Sequence, residues 1–491
     1  MKRYVRKSLA PLLMTLLVFW TGACNFEETN INPNATTSAS INVILPVAST
    51  NLVWAINDFS AQSASTFVQY MTGVLNVQFN ITVYQYLPPN FNTTWNNHFY
   101  AGALKDLKTI TELATEQGST HYAGIAKIQT AMALGYLVDL WDDVPWSQAL
   151  DLDNNERPAF DPGAQVYEEV FRLLDAGIAD LNSNSSFSPA RDDLIFPATT
   201  QVAWRANSLP RWIKTANALK ARMHNHLSKV NPQGSATAAL QAIDAGTFVN
   251  NAEELKVVFG STNDAAGPWF GFFLGTFGLN NIGICQTFID LLKDRIEPGV
   301  HDPRLRFFVQ ERNGDFIGTP VGATTLVANA SPVGPYINAP NAPTNIVTYA
   351  EVKFIEAEAS FRLGQFERAA QAYNDAVKAS LLRVTGTAQP AYEAIYASET
   401  AASIQDNGLQ KIFTEKHIAL FLQTESWTDW RRSIPANAPG TTSGIPTLAP
   451  PSNNGTNGVF PRRFLYPQTE FDNNGANVPV KLLTDKVFWD L

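Results

Sequence analysis

Apolar residues recur every three to four positions over long stretches, and no other feature constrains the fold as much. Between 202 and 230, Trp212, Ala216, Leu219, Met223, Leu227 and Val230 keep this step. Between 122 and 140, Ile125, Ile128, Met132, Tyr136 and Leu140 do the same, and so do Val166, Val170, Leu173, Leu174, Ile178 and Leu181 between 166 and 181. Such spacing gathers the apolar side chains on one helix face, which must then be buried against a neighbour. The pattern also predicts helices over 43–72, 96–116, 235–245, 284–294, 348–363, 366–380 and 409–432. Strand signals are short and few, over 74–86, 256–259 and 307–310. There is no regular alternation of strand and helix and no glycine-rich phosphate loop. The expected class is mainly α, with a few short strands and long irregular loops.

One helix pair is more specific. Leu363-Gly364-Gln365-Phe366 is followed by Ala369, Tyr373 and Ala376, which resembles the second half of a tetratricopeptide repeat. Small alanine faces let two helices approach closely, and Tyr373 fills the space between repeats. The 348–363 helix supplies the first half, with Ala357 at the close contact. Helices 96–116 with 122–140, and 166–181 with 202–230, read as further pairs. A helical-repeat array is a scaffold and does not by itself name a ligand. Loops over 74–95, 259–283, 296–345 and 433–480 are rich in Gly, Pro, Asn and Thr, and loops of that length usually carry function.

Composition removes several classes. The 491 residues are 45% apolar, enough for a substantial core, and carry a formal charge of −9. No basic block follows the first seven residues, so the chain lacks the footprint of a nucleic-acid binder. Two cysteines, Cys24 and Cys285, cannot build a disulfide scaffold or a cysteine-rich zinc site.

The N-terminus reads as an address. Lys2, Arg3, Arg6 and Lys7 precede a short apolar run from 9 to 20, then Thr21-Gly22-Ala23-Cys24. These are the parts of a secretory signal peptide, and Gly-Ala-Cys resembles a bacterial lipobox. Residues 1–23 are then the signal peptide, Cys24 is the lipidated residue, 24–40 form a flexible tether, and 41–491 make one domain. Each buried acyl methylene contributes about 0.8 kcal/mol, so several chains on Cys24 make a firm anchor. Glu27-Glu28 just beyond resembles the surface-export signal of Bacteroidetes lipoproteins. After cleavage Cys285 is the one remaining thiol, so no intrachain disulfide is expected.

Several apparent motifs fail on geometry. His224-Asn225-His226 cannot chelate from one helix, because i and i+2 do not face each other. Asp151-x-Asp153-x-Asn155 opens like a calcium loop, but Glu156 stands where Gly is required and Pro162 where the bidentate Glu belongs. Asp142-Asp143 reads as a helix end stopped by Pro145, and Cys285 as a buried, inert thiol. No nucleophile, base or metal cage emerges, so no cofactor and no catalytic residue is expected. A carboxylate pair brought together from distant segments needs no local motif and stays open. The remaining signal is aromatic. Trp269, Phe270, Phe272 and Phe273 sit among Gly and Pro in a polar loop region, where they either plug the loop onto the scaffold or meet a ligand. Tyr84 and Tyr86 follow the alternation of 77–86, which would put both on one strand face. Rings beside amides and hydroxyls suit sugars, because CH groups stack on the ring face. Trp54 and Trp95 read as core.

The C-terminal third resembles the SusD/RagB family of nutrient-binding outer-membrane lipoproteins, second SusD-like subgroup. The resemblance rests on Tyr349 to Ala359, on Lys411, Glu415-Lys416, Glu425, Trp427 and Trp430-Arg431-Arg432, on Pro461 to Glu470, and on the ending Lys486-Val487-Phe488-Trp489-Asp490. Val144-Pro145-Trp146 and Trp212 to Lys220 fit as well. The family implies a tetratricopeptide-like scaffold and no catalysis. It implies capture of an oligosaccharide, or a peptide, for a SusC-like TonB-dependent transporter of the outer membrane. Family ligand sites lie in variable loops, so no ligand residue is carried over. Glu351, Glu356 and Glu358 are expected to pair with Arg362, Arg431, Arg432, Arg462 and Arg463 and to clamp the C-terminal segment.

Overall fold

The computed structural model describes residues 39–151, 154–274, 281–435 and 444–491. The expected signal peptide, Cys24 and most of the expected tether lie outside the described residues. The chain opens with helices α1 (Ile41–Asn57) and α2 (Phe59–Phe67), strand β1 (Met71–Gly73) and helix α3 (Asn76–Thr82). A π-helix (Thr93–Leu104) runs into α4 (Lys105–Glu116), followed by α5 (Thr120–Trp141), α6 (Gly163–Leu181), α7 (Gln201–His226) and α8 (Pro232–Asp244). Then come β2 (Leu255–Val257), α9 (Pro268–Leu274), β3 (Ile282–Ile284), α10 (Gln286–Leu292), α11 (Leu305–Phe308) and β4 (Thr344–Val347). The C-terminal third holds α12 (Tyr349–Arg362), α13 (Phe366–Thr385), α14 (Pro390–Tyr396), α15 (Gly408–Ala419), α16 (Glu425–Ser433) and α17 (Gln468–Asn474). The strands pair antiparallel, β1 with β3 and β2 with β4, with Met71 opposite Ile284 and Leu255 opposite Val347.

The mainly α class holds, and close helix contacts sit where side chains are smallest. At Gly124 of α5 an added Cβ would lie 2.9 Å from the Gly177 carbonyl of α6, and at Gly177 it would lie 2.7 Å from Ile128. In the α12–α13 pair Gly364 adopts φ +71 at the turn, and Ala357, Ala369, Tyr373 and Ala376 are all buried. Phe354 meets the Tyr373 ring edge-on at 6.2 Å. Helix α8 packs on α7 and α12 through Ala236, Ala239 and Leu240 against Ala221, Ile355 and Ala359.

Some expected elements differ. The 43–72 helix breaks at Asp58, and the 409–432 helix breaks before α16, where Leu422 has φ 63. Helix α7 stops at His226, so Val230 leaves the stripe and is 48% exposed. The expected strand over 307–310 is the short helix α11 plus one bridge from Val309 to Val333. The expected strand over 74–86 is helix α3 and a turn, with Tyr84 at φ 58.

The C-terminal segment is held by buried charge. Arg432 contacts Glu358 at 3.0 Å and Asp429 at 2.5 Å, and Arg362 reaches Glu358 at 2.9 Å. Arg431 donates to the carbonyls of Arg462 and Asp139 and lies 3.9 Å from the Trp427 ring centre. Arg462 pairs with Asp490, and Arg463 donates to the Trp141 carbonyl. Glu351 and Glu356 go elsewhere, to Arg222 at 2.6 Å and to Arg368 at 2.8 Å. His224 stacks on Phe171 at 4.1 Å, whereas His226 sits between Asp139 and Glu425. The two histidines therefore serve different neighbours. Cys285 is fully buried, and burial raises its thiol pKa.

Candidate aromatic binding site

Helix α9 is short because Gly267-Pro268 starts it, and its rings divide between two environments. Trp269 and Phe273 are 7% exposed and stack on each other at 5.8 Å. Phe270 and Phe272 are half-buried, with Phe272 edge-on to Trp269 at 5.8 Å. Trp269 and Phe273 thus form the plug, and Phe270 and Phe272 keep part of each ring on the surface. Only about 10 Å3 remains between α9 and the segment from Ile337 to Thr344, no more than one water requires. The plug is therefore firmly seated.

The surface continues through Gly267. An added Cβ there would lie 3.2 Å from the Phe259 ring, and Gly267 N–H donates to the Pro340 carbonyl at 2.9 Å. Phe259, just beyond β2, meets Trp54 of α1 edge-on at 6.1 Å. Both rings are half-buried. Trp54 thus corrects the expectation that it is core: helix α1 turns this residue toward the loop. Between Phe259 and Gly267 the chain folds back, with Gly260 N–H donating to the Ala265 carbonyl. This fold leaves Ser261, Thr262, Asn263 and Asp264 exposed. The result is a shelf of half-exposed rings edged by hydroxyl, amide and carboxylate groups. Trp54 and Phe259 came from no motif; only their distance to α9 reveals them.

Tyr84 and Tyr86 do not join it. They are 4% and 3% exposed. Tyr84 packs on Phe67 at 6.0 Å and Phe460 at 5.7 Å, and Tyr86 on Phe67 at 5.8 Å and Phe91 at 5.1 Å. The alternation was real in sequence, but rings from α2 and from residue 460 cover that face. Burial pushes both hydroxyl pKa values up, and neither hydroxyl has a partner among the described residues. Both residues also line a cleft of about 370 Å3 beside Thr456, Asn457 and Thr484. Trp95 is core, as its sequence position suggests, and donates to Glu470 at 3.0 Å.

Among the described residues no group of three or more His, Cys, Asp or Glu side chains could hold a metal ion. No helix among them is long and apolar enough to cross a membrane.

Residues 33–467 match the model of the second SusD-like family, described as starch-binding associating with outer membrane. No curated protein matches the chain. A chitin-binding protein superposes with a TM-score of 0.74 at 22% identity, covering 92% of this chain and 100% of its own. A SusD/RagB family protein from Bacteroides thetaiotaomicron gives 0.72 at 20% identity, covering 92% and 99%. A chitin-binding SusD homolog from Flavobacterium johnsoniae gives 0.70 at 19% identity, covering 92% and 97%. At such identities the superpositions establish a shared fold.

Proposed function

This chain belongs to the SusD-like family, whose members associate with the outer membrane, and from that premise we propose that it captures oligosaccharides and delivers them to a SusC-like TonB-dependent transporter. In this reading Cys24 carries the lipid anchor and the domain faces the cell exterior. The ligand lies on the shelf of Trp54, Phe259, Phe270 and Phe272, with Trp269 and Phe273 as its foundation. Sugar CH groups stack on the ring faces, each good contact contributing roughly 1 kcal/mol beyond burial. Ser261, Thr262 and Asn263 bond the hydroxyls. The protein holds its ligand without altering it.

The observation that carries this reading is the pairing of half-exposed rings with an exposed hydroxyl-and-amide loop. That surface has one acidic and no basic side chain, which favours neutral glycans over peptides with charged termini. Two structural relatives named for chitin binding add support.

Isothermal titration of the lipid-free protein against polysaccharides and peptides, with analysis of the recovered ligand, tests the proposal. Binding of at least one glycan, recovered intact, is expected. Glycan fragments would support a lipid-anchored hydrolase or lyase instead, and binding of peptides alone would support a peptide-capturing member of the family.

A further inference from the structure

A second cleft, of about 260 Å3, lies between the residues following α2, helix α10, the end of α15 and residues 446–448. It shares no residue with the aromatic shelf. Its walls are largely apolar, from Val68, Phe288, Leu291, Pro446 and Leu448. Two residues of its lining keep hydrogen-bonding groups free for a ligand.

The first is His417. It is 5% exposed and lines the cleft; among the described residues its ring nitrogens take part in no hydrogen bond or ion pair, and they are not sealed from solvent. Other buried histidines in this protein are satisfied: His226 by Asp139 and Glu425, His121 by Ser188 and the Ser183 carbonyl. A largely buried imidazole with both nitrogens free keeps its donor and acceptor for whatever enters the cleft. The ring is nonetheless firmly placed. Tyr70 donates to the His417 carbonyl at 2.5 Å and lies against the imidazole at 4.5 Å. Phe288 backs it at 6.4 Å and is itself stacked on Phe421.

The second is Gln69, which adopts φ 59, a left-handed backbone that strains a non-glycine residue. Its amide donates to the Ala449 carbonyl at 2.6 Å, and among the described residues its side-chain oxygen has no partner and is not sealed from solvent. A left-handed backbone and free hydrogen-bonding capacity therefore meet in one cleft, the arrangement of a place shaped for a ligand rather than for folding alone.

The chemistry narrows the occupant. Burial pushes the His417 imidazole down to about 3, so at neutral pH it offers one donor and one acceptor. Thr287 and Thr447 add hydroxyls, and Asp290 adds an exposed carboxylate. No lysine or arginine lines the cleft, so nothing there attracts an anion. The volume lies below the range of drug-sized sites, roughly 300–1,000 Å3.

We propose that this cleft binds a single neutral sugar ring, its hydroxyls bonded by His417 and Gln69 and its CH face laid on the apolar wall. That the occupant is a sugar rests on the function proposed above; that the cleft is a site rests on its own geometry.

The test is NMR of the histidine imidazoles while the methyl glycosides of glucose, galactose, mannose and N-acetylglucosamine are titrated in turn. One glycoside is expected to shift the His417 signals and saturate in the millimolar range. Thr447→Trp, which fills the mouth from an exposed position, should abolish the shift. His417→Phe should weaken binding at least tenfold, measured by calorimetry, with the melting temperature little changed, because the one hydrogen bond His417 holds goes through its backbone carbonyl. No shift with any of the four glycosides, or full binding in both variants, would overturn the proposal. A marked fall in the melting temperature of His417→Phe would make that residue structural and overturn it too. Oligosaccharide binding without an imidazole shift removes this cleft and leaves the shelf intact. A shift without shelf binding does the reverse.

Discussion

Around α16 the charged residues are inside: Arg431, Arg432 and Glu425 are at most 2% exposed and packed between tryptophans. Around α9 part of the aromatic surface is outside: Phe270 and Phe272 are half-exposed beside a polar loop, over the buried Trp269 and Phe273. A buried charge persists only when its partners are fixed, so every group in the clamp constrains several others. A half-exposed ring leaves no uncompensated charge when it is replaced, so its loss costs the fold far less. Specificity can therefore change on the shelf at little structural cost, whereas the clamp admits almost no substitution.

The sharpest way to break this contrast is Arg432→Ala. It takes the buried guanidinium from Glu358 and Asp429, leaving Arg362 and Asn225 on the one and Lys416 on the other, and removing one member of a buried pair costs up to about 3–5 kcal/mol. Urea unfolding should report that loss, and a change below about 1 kcal/mol would mean the clamp is far looser than its geometry.

The second effect is in pH. Burial alone would lower the His226 pKa, but the Asp139 and Glu425 carboxylates outweigh it and raise the group to about 9. A raised histidine stabilises the fold fully below its unfolded value near 6.5, and the contribution fades as pH climbs through 9. Burial would raise Glu425, but His226 and Arg222 hold it down to about 2, so its contribution is present above 4.5 and fades as pH falls toward 2. Stability should therefore be highest between about 4.5 and 6.5 and fall by a few kcal/mol on the alkaline side. Thermal melts of His226→Gln should lack the alkaline fall. The shelf rings do not titrate, so glycan affinity should stay level while the clamp is intact.

A smaller stability effect belongs to the helix contacts. Gly177→Ala places a methyl 2.7 Å from Ile128, and overpacking of this kind costs about 1–3 kcal/mol. Its chemical denaturation midpoint should fall while ligand affinity does not. Smallest is Phe272→Ala, expected to weaken glycan binding by roughly 1 kcal/mol and to leave the melting temperature within a degree or two. Trp269→Ala, by contrast, should lower stability and affinity together, because that ring is foundation rather than surface.

Local periodicity made the helices legible, including the Gly364 turn and the Ala369–Tyr373–Ala376 ladder, because a helix face repeats within a few residues. What depends on distant partners was not legible. The alternation ending in Tyr84 and Tyr86 reads as a half-exposed strand until Phe67 and Phe460 cover it. The π-helix over Thr93–Leu104 leaves no mark in spacing. Glu358 was placed among the right arginines, but Arg222 meets Glu351 from 129 residues away, Asp139 meets Arg431 from 292, and Asp490 meets Arg462 from 28. On the shelf, the α9 rings stood out by their Gly and Pro neighbours, while the division into plug and surface required the folded chain. Nothing near Trp54 or Phe259 in sequence signals their meeting.

The central claim is that half-exposed rings beside α9 hold an unaltered glycan. A titration calorimeter, loaded with a glycan the wild type binds, should record affinity weakened by roughly 2 kcal/mol, about thirtyfold, for the Phe270→Ala/Phe272→Ala double variant at a nearly unchanged melting temperature. An isotherm indistinguishable from wild type would contradict it.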